Sequence, residues 1–227
     1  VDLAVRELSG GAFNAAYLAE SGLFPSGKAV VKVGPTGSAK TLTYEKDIMK
    51  TETEVYGMLR GLSLPVPEVL AYDNSRTVFD GEFFVMTHIG GVSWNRADRT
   101  RVRRSRAALM RELGRITAKI HGVRGEYFGY IKDDATFRAD NWADAFEHMI
   151  NLISADGRRE NKKLPYDEIM NAVKRHRSDL AHVSEPRRRV CRFRTDGLRA
   201  RFFRGSVCRF CCGVRADAAV FGYCGRA

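Results

Sequence analysis

Lys28-Ala29-Val30-Val31-Lys32-Val33, followed after a short connection by Ile48-Met49-Lys50-Thr51-Glu52-Thr53-Glu54-Val55-Tyr56-Gly57-Met58-Leu59, decides how this chain folds. The first run alternates as a β-strand does, so Val30 and Lys32 share one face and Val31 and Val33 take the other. The second reads as a helix over about Tyr44 to Leu62, with an apolar stripe at Ile48, Val55 and Leu59. Glu52 lies on that stripe, four residues after Ile48 and three before Val55, whereas Glu54 points away from it. A carboxylate on a buried stripe needs a cationic partner, because an unpaired buried charge costs several kcal/mol as an order of magnitude. Lys32 is the partner the spacing offers.

Upstream, Ser9-Gly10-Gly11-Ala12-Phe13-Asn14 is a turn between extended runs. Strands are expected over 3–8, 14–20, 28–33, 68–72 and 82–88, giving a mostly antiparallel sheet with one helix packed on it. Gly34-Pro35-Thr36-Gly37-Ser38 reads as a loop from its breakers. A Gly-containing turn, a strand lysine and a helix glutamate in this order form the nucleotide half of a kinase-type phosphate site. The bland alternatives are a hairpin turn at Gly10-Gly11 and a solvated lysine at 32.

Further along, Leu64-Pro65-Val66-Pro67-Glu68-Val69-Leu70 precedes Glu82-Phe83-Phe84-Val85-Met86-Thr87-His88-Ile89-Gly90-Gly91. Leu113-Gly114-Arg115-Ile116-Thr117-Ala118-Lys119-Ile120-His121 and Phe128-Gly129-Tyr130 come after. In order and spacing these pieces resemble the aminoglycoside phosphotransferase and choline-kinase-like family, small-molecule kinases with the protein-kinase fold, over about residues 8–186. The resemblance implies an α+β, protein-kinase-like fold. Residues 1–90 would be a nucleotide-binding small lobe, an antiparallel sheet with one packed helix, and 91–186 an incomplete helical large lobe. It implies ATP held by Ser9, Gly10, Gly11, Lys32 and Glu52, with the backbone of Thr87 and Ile89 as the adenine edge. The acceptor would be a small hydroxylated molecule such as an aminoglycoside, choline, homoserine or a sugar. His88 and His121 are read as bystanders, the second satisfying carbonyls at a helix end.

In the large lobe, Arg99 to Arg106 is a basic run leading into a helix with Leu109, Leu113, Ile116 and Ile120 on one face. Asn141 to Ser154 is expected as a helix with Asp140 or Asn141 as N-cap, then a polar turn over 155–163 and a third helix from Asp167 to Val183.

Charge divides the chain. Its 227 residues carry a formal +11, but residues 1–186 hold 27 Lys plus Arg against 25 Asp plus Glu, and 187–227 hold 11 Arg, no Lys and two Asp. The basicity that would suggest a nucleic-acid or anionic-membrane partner therefore belongs to the last segment, where it reads as charge and not evolved recognition. All five cysteines lie there too: Cys191, Cys208, Cys211, Cys212 and Cys224. They form no convincing zinc pattern, because Cys208-x-x-Cys211 has no second such pair and Cys212 is surplus.

After Pro186 the resembled family would supply His-x-Asp-x-x-x-x-Asn and then a metal-binding segment, whose aspartate and asparagine serve the acceptor hydroxyl and Mg²⁺. No His occurs after His182, and neither Asp196 nor Asp217 is followed five residues later by Asn. No catalytic residue and no metal ligand is therefore assigned. The abrupt change to Arg, Gly, Ala, Cys and Phe is what a GC-rich gene gives when translated out of frame, so 187–227 is expected to be a frameshift product, poorly ordered. The chain as written is expected to be inactive. The alternative readings are a nucleotide-binding pseudokinase remnant and a basic nucleic-acid-binding interaction module. Val1 in place of Met suggests a start inside a longer reading frame. Neither a signal peptide nor an apolar run of about 18 residues is seen, so a cytoplasmic protein is the default. An incomplete large lobe is expected to expose Leu109, Ile116, Ile120 and Phe146.

Overall fold

The computed structural model describes residues 2–8, 14–91, 97, 99–189 and 222–224. Ser9, Gly10 and Gly11, and Cys191, Cys208, Cys211 and Cys212 with the zinc question, lie outside the described residues. The described chain forms two compact units, one of residues 2–39 and 52–119 and the other of 40–51, 120–189 and 222–224.

The first unit is built on five antiparallel strands, β1 (Ala4–Glu7), β2 (Ala15–Glu20), β3 (Lys28–Thr36), β4 (Val69–Asp73) and β5 (Gly81–Thr87), in the spatial order β1-β2-β3-β5-β4. The register sets Ala16 and Phe84 on either side of Lys32, and Leu18 beside Val30. Leu18, Val30, Lys32 and Phe84 are all buried, so this is the covered face of the sheet. Helix α1 (Ile48–Arg60) contributes Val55 and Leu59, at 0% and 2% exposure, to this core.

Two local expectations needed correction here. The breakers at 34–38 predict a loop, yet β3 continues through Thr36, with a register shift between Val33 and Thr36, and only Gly37 and Ser38 turn. Pairing with β2 ends at Val33, so Pro35, which has no N–H to give, sits where that neighbour is gone. The helix begins at Ile48 and not Tyr44, because Thr43–Glu45 is a separate 3₁₀ turn and Asp47, at φ 55°, breaks the helical run.

In the chain order, helix α2 (Arg99–His121) follows. The second unit then holds β6 (Phe128–Tyr130), β7 (Arg138–Ala139), α3 (Trp142–Arg159), α4 (Tyr166–Arg175) and α5 (Arg177–Ala181). Two short strands, β8 (Arg187–Arg189) and β9 (Gly222–Cys224), complete a sheet of order β7-β6-β9-β8. Gly129 is required at the centre of β6, since its φ is +122° and a Cβ there would lie 2.0 Å from the Phe137 carbonyl oxygen. Asn141 caps α3, its side-chain oxygen accepting the Asp144 N–H at 2.9 Å.

The polar turn expected from residue 155 is helix through Arg159. The reason is Asp156, 1% exposed, whose carboxylate accepts from Thr43 N–H at 2.7 Å and Thr43 Oγ1 at 2.6 Å and pairs with Arg159 at 2.8 Å. A side chain that reads as a surface aspartate is a buried clamp on a distant segment. The third expected helix is two, broken at His176, which leaves helical geometry at ψ 17°. Beyond the break, Arg177 pairs with Asp144 and Glu147 of α3. Of the residues expected to be exposed in the large lobe, Leu109 is, at 40%, but Ile120 and Phe146 are buried at 6% each. Phe146 is covered by Trp142, ring centroids 5.7 Å apart.

Candidate functional site

The site is assembled on the covered face of the first unit's sheet. Lys32 stands in the middle of the central strand, where alternation turns its side chain to that face. Its Nζ donates to Glu52 Oε2 at 2.5 Å, and both residues are buried, at 8% and 4% exposure. The pair that the stripe argument requires is therefore formed.

The carboxylate is held at both ends. Tyr56, one helical turn after Glu52, donates its hydroxyl to Oε1 at 3.0 Å. Burial and the neighbouring Glu52 charge push the Tyr56 phenol well above the usual tyrosine range, so it stays protonated and a donor. Phe84 supplies the floor: Lys32 Nζ lies 5.8 Å from its ring centroid, and the Tyr56 ring meets it edge-on at 6.3 Å. A buried ammonium oriented by a fixed carboxylate, beside an aromatic surface, is suited to meet an anionic group while excluding water.

The other sequence-selected residues are distributed as follows. Thr87 ends β5, opposite Ala29, and its N–H donates to the Glu68 carbonyl at 2.9 Å while its Oγ1 accepts the Glu68 N–H at 2.9 Å. The Thr87 amide is thus engaged within the fold. Ile89, two residues beyond, is 49% exposed. His88 is half-buried between them. Among the described residues, no group of three or more His, Cys, Asp or Glu is arranged to hold a metal ion, and no helix is long and apolar enough to cross a membrane.

Sequence reasoning passed over two residues of the site, Tyr56 and Phe84, and one buried residue upstream of it. Tyr56 was legible, being four residues after Glu52 on one helix face. Phe84 required the strand register. Asn14, which the sequence places at the end of a turn and the start of the strand expected over 14–20, lies just before β2; it is 6% exposed and neither end of its carboxamide has a hydrogen-bond partner among the described residues.

A family model described as the phosphotransferase enzyme family, APH, matches residues 4–191. No curated protein sequence matches the chain. Among solved structures, a thermostable mutant of aminoglycoside phosphotransferase APH(4)-Ia in ternary complex with AMP-PNP and hygromycin B is 15% identical, with a TM-score of 0.56 over 84% of this chain and 60% of that one. A candidate fructosamine-3-kinase from Thermobifida fusca YX-ER1 is 19% identical, with a TM-score of 0.48 over 82% of this chain and 60% of that one. The chain spans from 38% to 60% of the length of the solved structures it resembles. The first likeness establishes the kinase-like fold, in agreement with the mixed architecture and the five-stranded antiparallel sheet. With the family match running over most of its residues, this chain belongs to the phosphotransferase enzyme family.

Proposed function

We propose that the chain carries the nucleotide half of an ATP-dependent phosphotransferase for a small hydroxylated acceptor, an aminoglycoside being the first class to test. The observation that carries this reading is the buried Lys32–Glu52 pair. An ammonium already desolvated and aligned by a carboxylate needs little reorganisation to accept a phosphate oxygen, which is the work asked of it in phosphoryl transfer. Residues 1–90 would act as the small lobe and 91–186 as part of the large lobe, with the backbone of Ile89 and the Thr87 carbonyl as the adenine edge. Ser9, Gly10 and Gly11 would cover the phosphates.

In this reading Lys32 binds and orients the phosphates, while Glu52 and Tyr56 hold Lys32 in place. Mg²⁺ would supply positive charge against the phosphates when bound. Among the described residues, no group of three or more His, Cys, Asp or Glu is arranged to hold it.

Residues 187–227 contain no His-x-Asp-x-x-x-x-Asn, and we attribute their composition to a change of reading frame. The chain as written then binds nucleotide without turning it over. A cytoplasmic setting, where ATP is plentiful, belongs to the same proposal. The test is a Mg²⁺-dependent ATP turnover assay, with a panel of aminoglycosides and sugars, on this chain and on a frame-corrected one. Turnover only in the second is expected. Equal turnover in both would overturn the frameshift, and ADP binding in neither would overturn the nucleotide site.

A further inference from the structure

Asn14 is a buried polar residue whose carboxamide has no hydrogen-bond partner among the described residues. A carboxamide has two donor hydrogens and an acceptor oxygen, and leaving such a group buried without partners is costly. Here the residue is 6% exposed and both its Nδ2 and its Oδ1 are orphaned among the described residues. It immediately precedes β2, on the alternation that brings Ala16 opposite Lys32 and Leu18 opposite Val30. Extended one step before the strand, that alternation assigns Asn14 to the covered face that carries the lysine, in keeping with its burial.

Position along the sheet gives the orphan a purpose. Thr87 is opposite Ala29, and Lys32 comes three residues later on β3. At about 3.3 Å per residue, the Lys32 row is roughly 10 Å from the Thr87 row, and the row of Asn14 lies about 7 Å further in the same direction. A nucleotide with its adenine at Thr87 and Ile89 and its phosphates on Lys32 would reach the level of Asn14 with its distal phosphates. We propose that Asn14 is a ligand for those distal phosphates, its Nδ2 donating to an anionic oxygen beyond the one Lys32 holds. The inference rests on the nucleotide reading above and adds to it a residue that senses phosphate-chain length.

The test is calorimetric titration of the full chain, wild type and variants, with adenosine, AMP, ADP and ATP, together with thermal melts without ligand. A hydrogen bond to a charged oxygen predicts that Asn14→Ala weakens ADP and ATP about tenfold or more while adenosine and AMP change by less than about twofold. Because no described residue bonds the carboxamide in the ligand-free chain, Asn14→Leu should melt no lower than wild type. ADP affinity unchanged in Asn14→Ala but lost in Lys32→Ala would overturn the role of Asn14 and leave the nucleotide site standing. A lower melting temperature in Asn14→Leu, or an equal loss of adenosine, would show a structural residue instead. Wild type that binds no ADP, or binds it equally well as Lys32→Ala, would bring down the nucleotide reading and this inference with it.

Discussion

Replacing Glu52 by leucine should be among the most damaging single changes to the first unit. At 2.5 Å, the ammonium and carboxylate attract by about 7 kcal/mol at an effective dielectric constant near 20, before the cost of removing both from water. Most of that attraction is offset by desolvation, so the pair as a whole adds little to stability, but its halves cannot be separated cheaply. Glu52→Leu leaves a buried ammonium alone, for about 3–5 kcal/mol, and takes the acceptor from the Tyr56 hydroxyl, for about 1–2 kcal/mol more. Lys32→Met with Glu52→Leu removes both charges and should recover most of the loss. Amide hydrogen exchange along β2, β3 and β5, followed by mass spectrometry, reads the local opening free energy of this sheet directly. The cycle of single and double variants should give a coupling of at least about 2 kcal/mol. A loss below about 1 kcal/mol in Glu52→Leu, or additive losses in the double variant, would refute the claim that a buried pair organises this face.

Other expectations are narrower. Asp156→Ala strands the Thr43 amide and hydroxyl and should cost about 2–4 kcal/mol by thermal denaturation, with new protease cleavage near residues 40–46. Gly129→Ala drives a methyl group into the Phe137 carbonyl at a backbone angle side chains avoid, so a loss of at least about 3 kcal/mol, or no soluble protein, is expected. Asn141→Ala removes the cap of α3 and should lower stability by about 1 kcal/mol in urea. The raised Tyr56 phenol makes a signed pH prediction. Its contribution is complete below the unfolded value near 10 and falls as pH rises above it, since the unfolded chain ionises first. Tyr56→Phe should flatten that alkaline decline, and identical slopes in the two proteins would refute it.

What could be read in advance depended on whether the deciding contacts were local. Lys32 and Glu52 declared themselves through two periodicities, because a strand of period two and a helix of period 3.6 each fix a face without knowledge of the rest. The N-cap at Asn141 was local in the same way. Asp156 was hidden because its partner, Thr43, is 113 residues away and nothing in the surrounding Ala-Asp-Gly-Arg-Arg distinguishes a buried carboxylate from a solvated one. Phe84 and Asn14 depended on register, which is set by pairing across strands and not by either strand alone. The continuation of β3 through Pro35 was misread because proline is excluded only where a neighbour requires its N–H, and the end of β2 was not visible from composition.

The register shift after Val33 also governs which changes in length the chain can absorb. One residue added between Ala29 and Val31 would invert the parity of the strand and send the ammonium to the opposite side, abolishing its meeting with Glu52 at a stroke. The same addition between Gly34 and Thr36 falls where parity is already reset, so the lysine keeps its orientation. Within a single strand, insertions are therefore ruinous on one side of Val33 and tolerable on the other.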